Sequence, residues 1–199
     1  MNEDKIILDL CGGSGSWSKP YKDAGYDVRV ITLPGDDVRL WPSKPSNIPR
    51  LPSGFNDIKQ YIGNVYGVLA APVCTYFSGS GAKHLRSDEQ ILEALSLVDA
   101  CLRIVKTVKP MFWAMENPVG KLIKWIGPPV LYFQPSDFGD PYTKKTLIWG
   151  EFNELIKTPV EPTEGSKLWS MYGGKSDRTK EMRSITPQGF AQAFFKTNQ

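Results

Sequence analysis

The chain has 199 residues, 41% of them hydrophobic and 23% charged, with a formal net charge of +3; that is enough length and apolar content for one domain with a sizeable core. No run reaches the roughly 18 apolar residues of a membrane span, and the charged start Met1-Asn2-Glu3-Asp4-Lys5 offers no secretory signal, so a cytoplasmic protein with no membrane partner is expected. Three cysteines without CxxC spacing and a single histidine, His84, argue against a disulfide framework and against a bound metal.

Lys5 to Leu10 reads as a buried strand followed by a glycine-rich turn. A helix starts near Pro20, since proline suits a first turn, and Gly25 suits its end. Asp27 to Thr32 alternates and is rich in β-branched residues, which predicts a second strand and with it a βαβ unit. Residues 41–56, rich in proline, serine and asparagine, read as an irregular surface loop. Val65 to Ala71 is the next strand and delivers the segment Pro72-Val73-Cys74-Thr75 at its end. Residues 78–87, with Gly79, Gly81, Lys83, His84 and Arg86, read as a mobile basic loop.

A long helix is predicted from Asp88 to about Val108, with Ser87 and Gln90 at capping-box spacing and Ile91, Leu95, Val98, Leu102 and Val105 as its buried stripe. Met111 to Met115 reads as a strand with Glu116 at its carboxyl end, and Asn117-Pro118 as the start of a short helix reaching Trp125. Val130 to Phe133 and Lys145 to Trp149 are two late strands, and Thr186-Pro187 opens a final amphipathic helix to Phe195. No internal repeat and no linker interrupts the chain, so residues 1–199 are read as a single α/β domain with a mostly parallel sheet.

Three blocks carry chemistry. In Asp9-Leu10-Cys11-Gly12-Gly13-Ser14-Gly15 the glycines permit positive φ and let a ligand approach the backbone at the carboxyl edge of the sheet. The third glycine of a dinucleotide fingerprint is replaced by Ser18, which together with the leading acid favours S-adenosylmethionine over a nicotinamide cofactor. Cys74, in a turn after a strand, has the exposure that a reactive thiol needs. Glu116 closes an apolar strand, where burial would suit a carboxyl group to proton donation.

In this order the three blocks resemble the DNA (cytosine-5) methyltransferases. Gly15-Ser16-Trp17-Ser18-Lys19-Pro20, Glu116-Asn117-Pro118-Val119-Gly120 and Pro141-Tyr142-Thr143-Lys144-Lys145-Thr146 look most like small phage- or prophage-type members. The resemblance implies a Rossmann-like methyltransferase fold with helices on both faces of the sheet. It also implies methyl transfer from S-adenosylmethionine, leaving S-adenosylhomocysteine, to cytosine carbon 5. Because that carbon is a poor nucleophile, a Cys74 thiolate would add to carbon 6 while Glu116 binds ring nitrogen 3 and the exocyclic amine. A base would then remove the proton at carbon 5 and Cys74 would leave by elimination. Lys144 stands at a position of the family's late motif that carries a cation, and Thr146 replaces that motif's second arginine.

The same resemblance places Asp9, Leu10, Cys11, Gly13, Gly15, Trp17, Thr32, Asp37 and Pro72 around the cofactor, with Asp57 competing with Asp37 as the adenine or ribose contact. Ser78, Lys83, Arg86, Asn117, Tyr142, Thr146, Lys175 and Arg178 would face the substrate. Tyr142, Lys144 and Thr146 share one side of an extended segment by its period of two. Duplex DNA with a flipped cytosine is the expected partner. Residues 151–181, which stand where the family has a target-recognition domain, are too few for a second core, so a very short target or a separate specificity subunit is implied. The cations Lys167, Lys175, Arg178, Lys180 and Arg183, near Trp169 and Tyr172, suit phosphate contact and base stacking. Methylation of RNA or of a free cytosine nucleotide, and an inactive cofactor-binding subunit, stay open as alternatives.

Overall fold

The computed structural model describes residues 2–41, 63–79, 85–167 and 177–199, the backbone alone at positions 177, 178 and 180. Among these, six strands form one sheet: β1 (Ile6–Leu10), β2 (Asp27–Ile31), β3 (Val65–Ala70), β4 (Phe112–Pro118), β5 (Leu131–Phe133) and β6 (Thr146–Glu151). Their order in space is β2-β1-β3-β4-β6-β5. β1 pairs in parallel with β2 and β3, and β3 with β4, while β6 runs antiparallel between β4 and β5. The sheet is mostly parallel, as expected, and its order reverses between β1 and β3. That switch point is where open α/β sheets bind ligands.

Strands covered on both sides are largely apolar, and β1 is buried from end to end with Asp9 as its one polar residue. Ile6, Leu8 and Leu10 join one cluster with the long helix α2 (Asp88–Val108), while Ile7 joins an aromatic cluster on the opposite side. There α1 (Lys19–Asp23) and α5 (Gln188–Thr197) cover the sheet, contributing Tyr21, Phe190 and Phe194. Phe190 stacks on Phe133 at 4.2 Å, and Trp17 packs 5.5 Å from both Phe190 and Phe194. The first turn of α5 takes its cap from a distance: Asp140 Oδ2 accepts from the Gly189 N–H at 2.9 Å, where Pro187 has no side chain to do so.

Three expectations change. The capping box of α2 is present, but its buried stripe is Ala94, Leu97, Val98, Cys101, Ile104, Val105 and Val108. Ile91, Leu95 and Leu102 pack only partly against that core. The small side chains Ala94, Ala100 and Cys101 turn that face to the sheet, because they let the helix approach it closely. Asn117-Pro118 does not open a helix: β4 continues through it, Asn117 pairing with Leu147 and Pro118 with Thr146. The short helix α3 (Ile123–Ile126) begins five positions after Pro118, at Ile123. Overlapping the end of the stretch read as a basic segment and running past it, residues 177–184 form a further helix, α4 (Asp177–Ser184). The loop at 41–56, apart from Trp41, lies outside the described residues, as do Asp57 and positions 80–84. No described helix is long and apolar enough to cross a membrane.

Candidate active site

The turn after β1 is built around a buried carboxyl group. Asp9 is fully buried, and its Oδ2 accepts from the Ser18 hydroxyl at 2.5 Å. Its Oδ1 has no hydrogen-bond partner among the described residues. Burial pushes the Asp9 carboxyl up to about 6, against the smaller downward pull of Ser18. A Cβ at Gly12 would lie 2.2 Å from Asp9 Oδ1, so any other residue there would force the buried carboxyl group to shift. Cys11, Gly13 and Gly15 all have positive φ, and a Cβ added at Gly13 would meet nothing within 4 Å, so the space over the turn is open. The turn is braced from distant segments: the Cys101 thiol of α2 pulls the Cys11 thiol down, and Ser16 Oγ accepts from the Thr186 N–H at 3.0 Å. Ser18, which the sequence offers only as a missing glycine, is therefore the clasp of this turn.

β3 ends beside β1, with the Ala71 N–H donating to the Leu10 carbonyl at 2.9 Å, and leads into the Cys74 turn. The Cys74 carbonyl accepts from the N–H groups of Phe77 and Ser78, both at 2.9 Å. On the far side, the Lys121 N–H donates to the Phe77 carbonyl at 2.7 Å and the Gly79 N–H to the Val119 carbonyl at 3.0 Å. Gly120 is required for this closeness, because a Cβ there would lie 1.9 Å from the Phe77 oxygen. Asn117 ties the same turn from below: its buried Nδ2 donates to the Pro72 carbonyl at 3.0 Å. The continuation of β4 through Asn117 is what makes that bond, so the Glu-Asn-Pro block works as a strand end strapped to the cysteine turn.

Glu116, one residue before, forms an ion pair of 3.5 Å with Lys144 in the segment entering β6, and its Oε1 has no hydrogen-bond partner among the described residues. Cys74 keeps part of its surface open, yet protein surrounds its sulfur. Burial pushes the Cys74 thiol up, the Glu116 charge pushes it further, and Lys144 and Arg86 pull it down less strongly. Arg86 is held in place by donating to the Tyr76 carbonyl. The three residues expected to be catalytic thus share one electrostatic site at the carboxyl edge of the sheet.

Lys167 adds a second buried cation. It is 5% exposed, donates to the Ile185 carbonyl at 3.1 Å and to the Tyr142 hydroxyl at 3.4 Å, and lies over the Tyr142 ring. Burial and then Lys144 push its ammonium down to about 8, opposed by Asp140 and Glu116. Sequence placed Lys167 among surface cations for phosphates; it instead supports the pocket from inside. The only hint was its position two residues after Gly165, in the stretch whose residues 165–167 pair with Thr143.

Other expected residues divide by burial. Tyr142, Lys144 and Thr146 are all buried, in keeping with the period of two, although only Thr146 lies within β6. The Thr146 hydroxyl is engaged locally, donating to the Lys144 carbonyl at 2.8 Å. Leu10 and Trp17 belong to the two core clusters, so their side chains face packing partners. Both Asp37 oxygens are taken by the Arg39 guanidinium, and Asp37 also caps the 3-10 turn Val38–Leu40. Thr32 is half-buried just past β2, Pro72 is buried beneath the cysteine turn, and Ser78 bridges to Gly120. Lys83, Lys175 and the Arg178 side chain lie outside the described residues.

In class, this is an α/β protein with a methyltransferase fold. It superimposes on a crystal structure of an E. coli prophage protein assigned as a DNA modification methyltransferase, with a TM-score of 0.50 and 16% identity, over 79% of this chain and 52% of that one. In sequence it is 30% identical over 128 residues to the Type II methyltransferase M.DdeI of Desulfomicrobium norvegicum. That match takes in 58% of this chain and 28% of the relative, so the chain corresponds to less than a third of that protein's length. No family model matches the chain. The methyltransferase resemblance read from the motifs is thus met by relatives in both sequence and fold.

Proposed function

We propose that the chain methylates DNA at cytosine carbon 5, using S-adenosylmethionine and a covalent adduct through Cys74. The likeness to a type II methyltransferase and to the fold of a DNA modification methyltransferase supports methyl transfer to DNA. The choice of carbon 5 rests on one observation: a cysteine, a carboxylate and a lysine from three separate segments converge at the edge where the glycine turn lies.

The turn suits the cofactor. The space over Gly13 is open, and Asp9 holds a buried oxygen with no partner among the described residues, which favours a cationic ligand. Asp9, Cys11, Gly13 and Gly15 would hold it, and when bound it supplies an electrophilic methyl group. Thr32 and Pro72, at the ends of β2 and β3, border the same edge.

At rest the Cys74 thiol is held protonated by burial and by the carboxylate beside it. A cytosine hydrogen-bonded to Glu116 changes that balance. With the base seated, the thiol proton passes to the Glu116 carboxylate, which as a neutral acid no longer opposes the thiolate; as sulfur bonds to carbon 6, Glu116 passes that proton on to ring nitrogen 3. The sulfur adds to carbon 6, and electron density moves to carbon 5, where the methyl group is accepted. A base takes the carbon 5 proton, the sulfur–carbon 6 bond breaks to release the thiolate, and the nitrogen 3 proton returns through Glu116 to the sulfur, which restores the thiol. Lys144 holds the Glu116 carboxylate in place, and Arg86 and Lys144 favour the thiolate.

The test is duplex DNA carrying 5-fluorocytosine, incubated with S-adenosylmethionine. Because fluorine at carbon 5 cannot leave as a proton does, a covalent protein–DNA adduct is expected, and Cys74→Ala should abolish both it and methyl transfer, on the order of 10³-fold or more. Methyl incorporation into tRNA or a free nucleotide but not into duplex DNA would instead select the RNA or nucleotide reading.

A further inference from the structure

A second surface of unassigned purpose adjoins this edge. It starts where the Val119 N–H donates to the Lys145 carbonyl at 3.2 Å and Lys121 meets the cysteine turn, then follows α3 and returns along β5. From Pro118 to Gln134 the sequence carries Lys121 and Lys124 and no acidic residue. Lys121, Lys124 and Lys145 are all exposed, and none has an acidic partner among the described residues.

Between these cations stand large apolar groups open to water. Trp125 is 56% exposed, Tyr132 49% and Ile123 41%. Leu122 and Ile126 anchor α3 on the α2 side of the sheet, which turns Lys121, Lys124 and Trp125 outward. Leu131 and Phe133 pack into the aromatic cluster on the other side, so Tyr132, between them, projects to the same side as α3. Neither Trp125 nor Tyr132 stacks on another described ring. Exposed aromatic faces among unpaired lysines match a polyanion that carries flat rings: phosphates to the ammonium groups, bases or sugars to the rings.

We infer that the α3–β5 surface is a nucleic-acid platform which grips the DNA strand flanking the target base. This rests on the proposed function. It adds DNA contacts outside the stretch 151–181, whose Lys167 is turned inward, on a part of the chain that sequence reading took as a short helix and an edge strand. Phosphate contacts here position the substrate without reading its sequence, which fits a protein with a very short target.

The experiment measures duplex DNA affinity against salt for the full chain, with S-adenosylmethionine binding as the control. Each phosphate contact contributes about 0.9 to the slope of log K against log salt. Lys121→Ala/Lys124→Ala should therefore flatten that slope by about 2. Trp125→Ala should weaken binding about tenfold with the slope unchanged. Cofactor binding should be the same in all three proteins. Wild type that binds DNA, with variants that match it in slope and affinity, overturns the platform and leaves the proposed function standing. Wild type that binds S-adenosylmethionine but no duplex DNA overturns both. A dimer lost in Trp125→Ala while DNA binding is unaffected overturns the platform in favour of a contact between copies of the chain.

Discussion

The two loops at the switch point answer buried charge in opposite ways. At the glycine turn the answer is local: Asp9 is met by Ser18, nine positions along the chain, and by a backbone bent around it at Cys11, Gly13 and Gly15. At the cysteine turn the charged groups come from a distance. Cys74 is influenced by Glu116 from β4, Lys144 from the approach to β6 and Arg86 from the approach to α2, with Lys167 behind them. The first is a cradle whose buried charge is met within its own segment, though distant residues such as Thr186 brace it from outside. The second is an assembly of distant segments, and it keeps a carboxylate oxygen, Glu116 Oε1, without a hydrogen-bond partner among the described residues. A cradle suits a ligand of constant shape, whereas an assembly with unmatched charges suits a reaction that rearranges protons.

The difference breaks most sharply at Glu116. Glu116→Gln should lower methyl transfer by roughly 10²- to 10⁴-fold, the usual contribution of a positioned acid. The same change removes a charge that raises the Cys74 thiol, so the resting cysteine should become more reactive. Alkylation by iodoacetamide across a pH series should show the thiol titrating lower in Glu116→Gln and higher in Lys144→Met than in wild type. An unaltered alkylation profile in both variants would mean that the cysteine does not sense the pocket, and the comparison would collapse.

That asymmetry also governs what the sequence made legible. The glycine turn could be read because its parts are contiguous: the acid, the glycines and even Ser18 lie within one stretch. The residues of the cysteine pocket could be named, yet their relations could not. Asn117 looked like a helix cap because the Asn-Pro pair favours one; the pairing of β4 with β6 overrides that preference and sends its amide to Pro72. Lys167 looked like a surface cation because composition cannot distinguish an inward ammonium from an outward one. The stripe of α2 was displaced because helical spacing gives a period, while small residues such as Ala94 and Cys101 decide the phase.

The cradle can be tested through stability. Asp9 rises from an ordinary 3.8 to about 6 in the folded chain. A raised carboxyl contributes stability that is fully present below the unfolded value, about 4, and is lost as pH climbs through about 6. Two units at 1.36 kcal/mol each make that loss about 3 kcal/mol. Asp9→Asn should therefore unfold at higher urea than wild type at pH 7, with a midpoint that stays level between pH 4 and 6 where wild type declines. Its affinity for S-adenosylmethionine should fall, since the buried charge is gone. A variant no more stable than wild type at pH 7 would show that the charge is already compensated, and that this loop is no more strained than its neighbour.

The smallest expected effect lies at the strap between the two strands. Asn117→Ala removes a buried hydrogen bond to the Pro72 carbonyl, but it also removes an Oδ1 that has no partner among the described residues. The loss of the bond is worth about 1 kcal/mol, and deletion of an unsatisfied acceptor offsets part of it. Global stability should thus fall by about 1 kcal/mol or less, a small shift in the urea midpoint. Reactivity should move more than stability does. The Pro72 carbonyl holds the start of the turn that presents Cys74, so methyl transfer should drop while S-adenosylmethionine binding, which depends on the local cradle, is retained. Equal losses of cofactor binding and transfer would mean that the two loops are mechanically one unit, because the strap would then support the cradle as well as the pocket.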